Sequence, residues 1–363
     1  MTAPWQQARR ILCVRLDSLG DVLMCTPAMR ALREAVPGRT LTLLSSPSGA
    51  AALPFIPELD DAVAWSAPWT KSPMPSPTTT AAPIAALAAR AFDAAVIFTT
   101  YTQSALPAAL LCQLAGIPLR LAHCRENPYD LLTDWIPDPE PATLVRHEVQ
   151  RQLALVQRVG CRSAALGLSF VPRPADVAAA RTRLSAAGID PDRPWILLHP
   201  GASAASRRYP PAHWADVLRL LALELQLPLV LTGSAAEGEL VDGIQFASAV
   251  PAVSLAGRLS LGELGAALRL ATVAVTNNTG PAHMAAAVGT PVVDLYALTN
   301  PQHTPWNVCS RVLFHDVPCR FCYRSTCPEG HQACLAGIAP QRVVDAVRDL
   351  LGATRAAPAA VTA

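Results

Sequence analysis

VTNNTGPAHMAAAVGTPVVDLY, residues 275–296, reads as one compact strand–helix–strand unit. The apolar run 272–276 predicts a buried parallel strand, and the polar turn Asn277-Asn278-Thr279-Gly280-Pro281 follows it. Residues 282–288 predict a helix, stopped by Gly289-Thr290-Pro291, and residues 292–296 a second apolar strand. A turn between a strand's carboxyl end and a helix's amino end is where open α/β sheets bind ligands. Backbone N–H groups and the helix dipole favour a phosphate there. Gly280 lets the chain come close to it, and His283, one turn in, adds a proton donor. An ordinary strand-to-helix turn with an N-cap has the same local appearance, so the companions of this turn decide its meaning.

Working outward, three further strands run into glycine turns. The first strand, 10–16, leads into Asp17-Ser18-Leu19-Gly20-Asp21 and a helix over 22–35. This turn lacks the G-x-G-x-x-G of dinucleotide sites, which disfavours a nicotinamide cofactor. It offers a carboxylate, Asp21, which serves either as a favourable helix N-terminal charge or as a general base. The strand 195–198 leads into His199-Pro200-Gly201 and on to Arg207-Arg208. Arginine gives planar, bidentate hydrogen bonds to phosphate, although a solvated charged loop reads the same way. The strand 227–231 leads into Thr232-Gly233-Ser234, with Glu237 and Glu239 on the next helix, placed either to accept from ribose hydroxyls or simply in solvent. Ser260 and Glu263 form a capping-box pattern ahead of a helix over 260–270. Strands are also predicted at 41–45, 62–65, 94–99 and 120–123, and helices at 105–115, 145–159, 175–187, 211–225 and 339–351. This alternation is that of doubly wound α/β sheets.

The chain has 363 residues, 51% hydrophobic and 15% charged, with net charge +2, enough for two domains each with its own core. No bulk charge bias points to nucleic acid as a partner. No apolar run reaches the roughly 18 residues of a transmembrane helix. The short run after Arg9-Arg10, broken by Arg15 and Asp17, is not a signal peptide, so a cytoplasmic location is expected. Cys13, Cys25 and Cys112, in apolar surroundings, read as core. The Pro-rich stretch 66–83 reads as a long surface loop, either contacting an acceptor or a mobile insertion.

RLDSLGDVLMCTPAMRALREAVPG, HPGASAASRRYPPAHWADVL, LTGSAAEGEL and TNNTGPAHMAAAVGTPVVDLY, in this order and spacing, resemble glycosyltransferase family 9, whose best-known members are the ADP-heptose:lipopolysaccharide heptosyltransferases. The resemblance runs from about residue 10 to about residue 350. It implies an α/β GT-B fold, two doubly wound Rossmann-like domains facing a central cleft. Residues 1–172 would bind the acceptor and 173–338 the nucleotide-sugar, with a closing helix over 339–352 and a disordered tail over 353–363. It implies an inverting transfer, needing no metal or other cofactor, from a nucleotide-sugar such as ADP-heptose. The acceptor would be lipid-linked or another glycan, lipopolysaccharide core included, reached through peripheral contact with the inner membrane.

Carried onto this sequence, the resemblance makes Asp21 the base that takes the acceptor's proton, with Gly20 and Ser18 beside it on the acceptor side. Ser203, Arg207, Asn278, Thr279, Gly280 and His283 would hold the diphosphate, and Gly233, Glu237 and Glu239 the nucleoside. Arg207 stands where the family commonly has lysine, and Asn278 where it commonly has aspartate. The positive charge is kept, while a negative charge facing the sugar or diphosphate is lost, which leaves the identity of the sugar open.

A last segment, HDVPCRFCYRSTCPEGHQAC, residues 315–334, places Cys319, Cys322, Cys327 and Cys334 in C-x2-C-x4-C-x6-C with His331 between the last two. This density reads as a structural zinc or iron site, or as a cluster of reduced or oxidisable thiols. Two other functions suit such a fold, a nucleotide-sugar epimerase and a non-catalytic nucleotide-sugar or glycan-binding protein. The Gly20-Asp21 pair separates them, since a binding protein has no need of a base there.

Overall fold

The computed structural model describes residues 3–70 and 81–356. Contacts divide the chain into two compact units, Met1–Phe170 and Val171–Ala363. The first contains strands β1 (Arg10–Arg15), β2 (Thr40–Ser45), β3 (Asp61–Ala64), β4 (Ala94–Ile97), β5 (Leu119–Cys124) and β6 (Asp134–Pro137). The second contains β7 (Ile196–His199), β8 (Leu229–Leu231), β9 (Val253–Ser254), β10 (Val273–Asn277), β11 (Val292–Leu295) and β12 (Ser310–Leu313).

Each unit is one parallel six-stranded sheet, ordered β3-β2-β1-β4-β5-β6 and β12-β11-β10-β7-β8-β9. Counted from the start of each unit, the first order is 3-2-1-4-5-6 and the second, read from its other edge, is 3-2-1-4-5-6 as well, the doubly wound Rossmann order. The central strands β4, β7 and β10 are buried along their length, and β1 and β2 in all but their first residue, as strands covered on both faces must be. The edge strand β6 alternates in burial and ends in Pro137, which a central strand would not tolerate. In the first unit Leu12, Val14, Ala95 and Ile97 pack against Ala108, Leu111 and Cys112. In the second, Trp214, Val217 and Leu218 of helix Pro211–Leu225 and Val343, Val344 and Val347 of helix Pro340–Ala356 close over Ile196, Val275 and Val293. Each valine, leucine and isoleucine among them contributes about 1.5–3 kcal/mol on burial. Cys13, Cys25 and Cys112 are buried, as their surroundings predict.

The helix expected over 22–35 is two helices, Leu19–Leu23 and Thr26–Ala35. Pro27 has no N–H to give, and its ring collides with the carbonyl four residues back, so the first helix stops before it. The Thr26 hydroxyl donates to the Leu23 carbonyl (2.7 Å) across the break. The capping box at Ser260 is formed: Glu263 N donates to Ser260 Oγ (3.2 Å) and Ser260 N to Glu263 Oε2 (2.7 Å). Helix Pro340–Ala356 runs past residue 352, where the sequence reading ends it. Most of the expected Pro-rich loop, residues 71–80, and the last part of the expected tail, 357–363, lie outside the described residues. No helix among the described residues is long and apolar enough to cross a membrane.

Candidate functional site

In a doubly wound sheet the strand order reverses between the two central strands, and ligands bind outside their carboxyl ends. In the second unit that point lies between β7 and β10, which pair in parallel with His199 opposite Thr276. The turns that leave them, 200–209 and 277–283, are therefore neighbours. Asn277 ties them together: its Nδ2 donates to the Pro200 carbonyl (2.7 Å), and its Oδ1 accepts from Tyr209 N (3.1 Å). Thr279 is the extended N-cap residue of helix Gly280–Val288, and His283 is buried on that helix's first turn. The first-turn N–H groups of a helix lack intrahelical partners and face outward along the axis.

The two adjacent arginines are used differently. Arg208 Nε donates to the Ala202 carbonyl (2.8 Å), which closes the loop on itself. Arg207 is half-buried; its backbone N donates to the Ala204 carbonyl (3.0 Å), and its guanidinium has no hydrogen-bond or ion-pair partner among the described residues. Asn278 is buried, and its Nδ2 donates to Asp294 Oδ2 (3.0 Å) and to the His303 carbonyl (2.7 Å). Asp294, on β11, is fully buried, and its Oδ1 has no hydrogen-bond partner. Burial pushes its carboxyl up to about 7, against the pull of the Asn278 hydrogen bond and of the Arg207 charge. A buried carboxyl group thus lies one strand over from Asn278 and is bonded to its amide.

Glu237 leans over the same turns. Its Oε2 accepts from Ser234 N (2.8 Å) and Ser234 Oγ (2.9 Å) and lies 4.0 Å from His199 Nε2. A Cβ on Gly201 would run into the Glu237 carboxylate, so a side chain at 201 would displace that carboxylate from its present place. Gly233 packs under the same side chain. Burial lowers the His199 imidazole to about 4, with Glu237 opposing, and His199 Nδ1 lies 3.0 Å from Thr232 Oγ1. His199 is therefore neutral near pH 7. Ser203 and Glu239 are exposed, and no hydrogen bond joins either to this cluster. The structure brings Arg207, Asn278, Thr279, Gly280, His283, Gly233 and Glu237 to the turns after β7, β8 and β10, with Ser203 exposed on the Arg207 loop and Glu239 exposed on helix Gly238–Ser248.

In the first unit the switch point lies between β1 and β4. Arg15, the last residue of β1, is completely buried within ion-pair distance of Asp17 (3.1 Å), Asp21 (3.1 Å) and Glu148 (2.9 Å). Asp21 Oδ2 accepts from Ser18 Oγ (2.7 Å) and Ser18 N (3.2 Å), and its side chain is 20% exposed. It caps its helix and still presents an edge to solvent. Gln152 fixes Glu148 (2.7 Å), and Gln103 Nε2 donates to Asp17 Oδ1 (2.8 Å). Burial raises the Asp17 carboxyl above its usual range, with Arg15 opposing and Asp21 adding to the rise. Asp17 also lines a cavity of about 290 Å³ with Trp69, Thr102 and Gln103. Sequence reasoning reached Asp21, Gly20 and Ser18 but missed Arg15, Asp17 and Glu148. It also missed Asn277 and Asp294 in the second unit.

The cysteine segment folds beside the Arg207 loop. Cys319, Cys322, Cys327, Cys334 and His331 border one small cavity together with Ser206 and Thr299. The donor set is right for a thiophilic metal, but no group of three or more His, Cys, Asp or Glu side chains among the described residues is arranged to hold an ion.

The sequence model of Glycosyltransferase family 9 (heptosyltransferase) matches residues 82–333. The chain is 26% identical over 368 residues to Lipopolysaccharide heptosyltransferase 2 of Escherichia coli strain K12, covering 94% of this chain and 98% of that one. Among solved structures, a glycosyl transferase family 9 protein from Veillonella parvula aligns with TM-score 0.77 and 19% identity, covering 95% and 97% of the two chains. The E. coli ADP-heptose lps heptosyltransferase II aligns with TM-score 0.73 and 23% identity, covering 96% and 100%. The strand order, the two switch-point turns and these matches agree: the chain belongs to glycosyltransferase family 9 and is a glycosyltransferase of the GT-B fold.

Proposed function

We propose that this enzyme transfers a heptosyl group from ADP-heptose to a hydroxyl of a lipopolysaccharide-core or related glycan acceptor, with inversion and without a catalytic metal. The observation that carries the donor half is Arg207, a guanidinium with no protein partner among the described residues, at the turn beside a helix N-terminus. An anion with two phosphates uses both groups, and the leaving diphosphate needs fixed positive charge as the glycosidic bond breaks. Glu237 beside Gly201 and Gly233 is placed to accept from ribose hydroxyls. Asn278, holding Asp294, presents an amide where the family commonly has a carboxylate.

In the first unit, Asp21 takes the acceptor proton. Arg15 and Ser18 fix its carboxylate, and the proton is received at its solvent-facing edge. The hydroxyl oxygen attacks the anomeric carbon opposite the departing ADP, which inverts that centre. The choice of donor also draws on the likeness to the E. coli ADP-heptose lps heptosyltransferase II. A product assay over a panel of nucleotide-sugars, with ADP-heptose first, tests it. Heptosyl transfer to a core acceptor supports the reading. Transfer only from a different nucleotide-sugar, or a changed nucleotide-sugar formed without acceptor, overturns it.

Four thiols around one cavity also support a structural zinc or iron at Cys319, Cys322, Cys327 and Cys334, outside the chemistry of transfer. Metal analysis of protein prepared without chelators is expected to find close to one ion per chain. A value well below that removes the metal and leaves a cluster of thiols.

A further inference from the structure

The cysteine segment is bonded to the donor loop at the residues next to Arg207. Ser206, which is 3% exposed, donates from its backbone N to the Ser325 carbonyl (3.0 Å) and from its Oγ to the Arg324 carbonyl (2.8 Å). Gln332 Nε2 donates to the Ala205 carbonyl (2.6 Å). On its other side the segment is stitched to the chain that leaves β11: Phe321 N donates to the Leu298 carbonyl (2.6 Å) and Tyr323 N to the Thr299 carbonyl (2.8 Å). Val317, Cys319 and Cys334 pack there with Tyr296 and Leu298. Residues 319–334 therefore bridge the short helical turn Ala205–Arg207 and the end of the strand that carries Asp294.

The backbone of this bridge is held in an unusual state. Phe321, Tyr323 and Gln332 lie in the left-handed region, at φ of 61°, 54° and 45°, without being glycine. Such conformations persist only where the surroundings over-determine them, and they cluster where precise placement matters. The hydrogen bonds just described supply that determination.

We propose that the segment 319–334 is a clamp that positions Arg207 for the donor diphosphate, with Ser206 and Gln332 as the positioning residues. This rests on the assignment of Arg207 to the diphosphate above. The clamp acts by holding the Ala205–Arg207 turn, whether or not its thiols carry a metal. A coupling between two sites is reciprocal. If the clamp favours the arrangement that binds diphosphate, bound diphosphate must in turn hold the clamp closed and shield its thiols.

Two measurements test this on the full-length enzyme. In the first, N-ethylmaleimide labelling is followed thiol by thiol by mass spectrometry, with no ligand, with ADP and with adenosine. ADP is expected to slow labelling of the 319–334 thiols several-fold. Adenosine is expected to leave it unchanged. The exposed Cys309, outside the clamp, serves as the internal control. Equal protection by ADP and adenosine, or none by either, overturns the clamp. In the second, calorimetry compares Ser206→Ala, Ser206→Thr and Gln332→Ala with wild type. Loss of one net hydrogen bond is expected to weaken ADP roughly three- to tenfold in each alanine variant. Adenosine binding should be unmoved, and the threonine variant should recover most of the loss. Unchanged ADP binding in both alanine variants overturns the clamp, as does equal weakening of adenosine. Arg207→Ala separates the two readings. If it weakens ADP while the alanine variants and the labelling show no effect, the clamp alone fails. If Arg207→Ala leaves ADP binding unchanged, the diphosphate assignment fails, and the clamp with it.

Discussion

At the switch point of the first unit, a buried arginine is surrounded by three carboxylates. At the same place in the second, the Arg207 guanidinium stands without a hydrogen-bond or ion-pair partner among the described residues, beside a helix N-terminus. The strand order beneath both is the same. The sheet supplies the location and the turn residues supply the chemistry. On the proposed function, the first turn's fixed negative charge takes a proton and the second turn's positive charge receives an anion.

Breaking the first arrangement is expected to have the largest effect. Arg15→Met removes the guanidinium that Asp17, Asp21 and Glu148 share, taking a positive charge away from the fully buried Glu148 and from two part-buried aspartates. A loss of about 3–5 kcal/mol in unfolding free energy is expected, read from urea denaturation. A variant within about 1 kcal/mol of wild type would mean that the three carboxylates do not depend on Arg15.

Asp294 sharpens the comparison from the other side, since among the described residues its buried carboxyl has only a neutral amide as a bonded partner. Its folded pKa, about 7, lies above the unfolded value of about 4. Between those values the native state holds the extra proton. Its contribution is therefore complete below about pH 4 and is lost as pH rises through about 7. Wild type should lose up to about 4 kcal/mol across that window relative to Asp294→Asn. Parallel stability curves for the two proteins from acid to neutral pH would remove this account of Asp294.

Next in size is the base. Asp21→Asn is expected to lower turnover by about 100-fold or more while ADP binding stays nearly unchanged. Retention of more than about a third of wild-type turnover at saturating substrates would exclude Asp21 as the base, and Asp17 would become the first carboxylate to test.

The two sites were not equally legible in the sequence. Asp21, Arg207 and the Asn277–His283 turn lie within a few residues of a strand end, so local pattern finds them. Glu148 meets Arg15 across 133 residues, and no local pattern carries that pairing. A signal was nonetheless present. Arg15 follows the apolar run ILCV at the buried end of RILCVR, and Asp294 interrupts VVDL. A charge in a strand buried on both faces must be paired or shifted. Asn277 reads as one more polar turn residue and proves to be the tie between two loops. Ser203 and Glu239 are reached from residue type and position alone, and both are exposed, with no hydrogen bond to the cluster among the described residues that would add to that reading. The helix break at Pro27 was legible from the proline alone.

The comparison turns finally on whether Arg207 is uncommitted because it awaits an anion. Calorimetry of wild type, Arg207→Ala and Arg207→Lys with ADP and with adenosine tests this most directly. Loss of a charge-assisted hydrogen bond, about 1.5–3 kcal/mol, corresponds to roughly 10- to 150-fold. Arg207→Ala is expected to weaken ADP by that factor and to leave adenosine nearly unchanged, with lysine recovering much of the loss. Equal weakening of both ligands, or no weakening of ADP, would contradict the assignment of this arginine to the diphosphate.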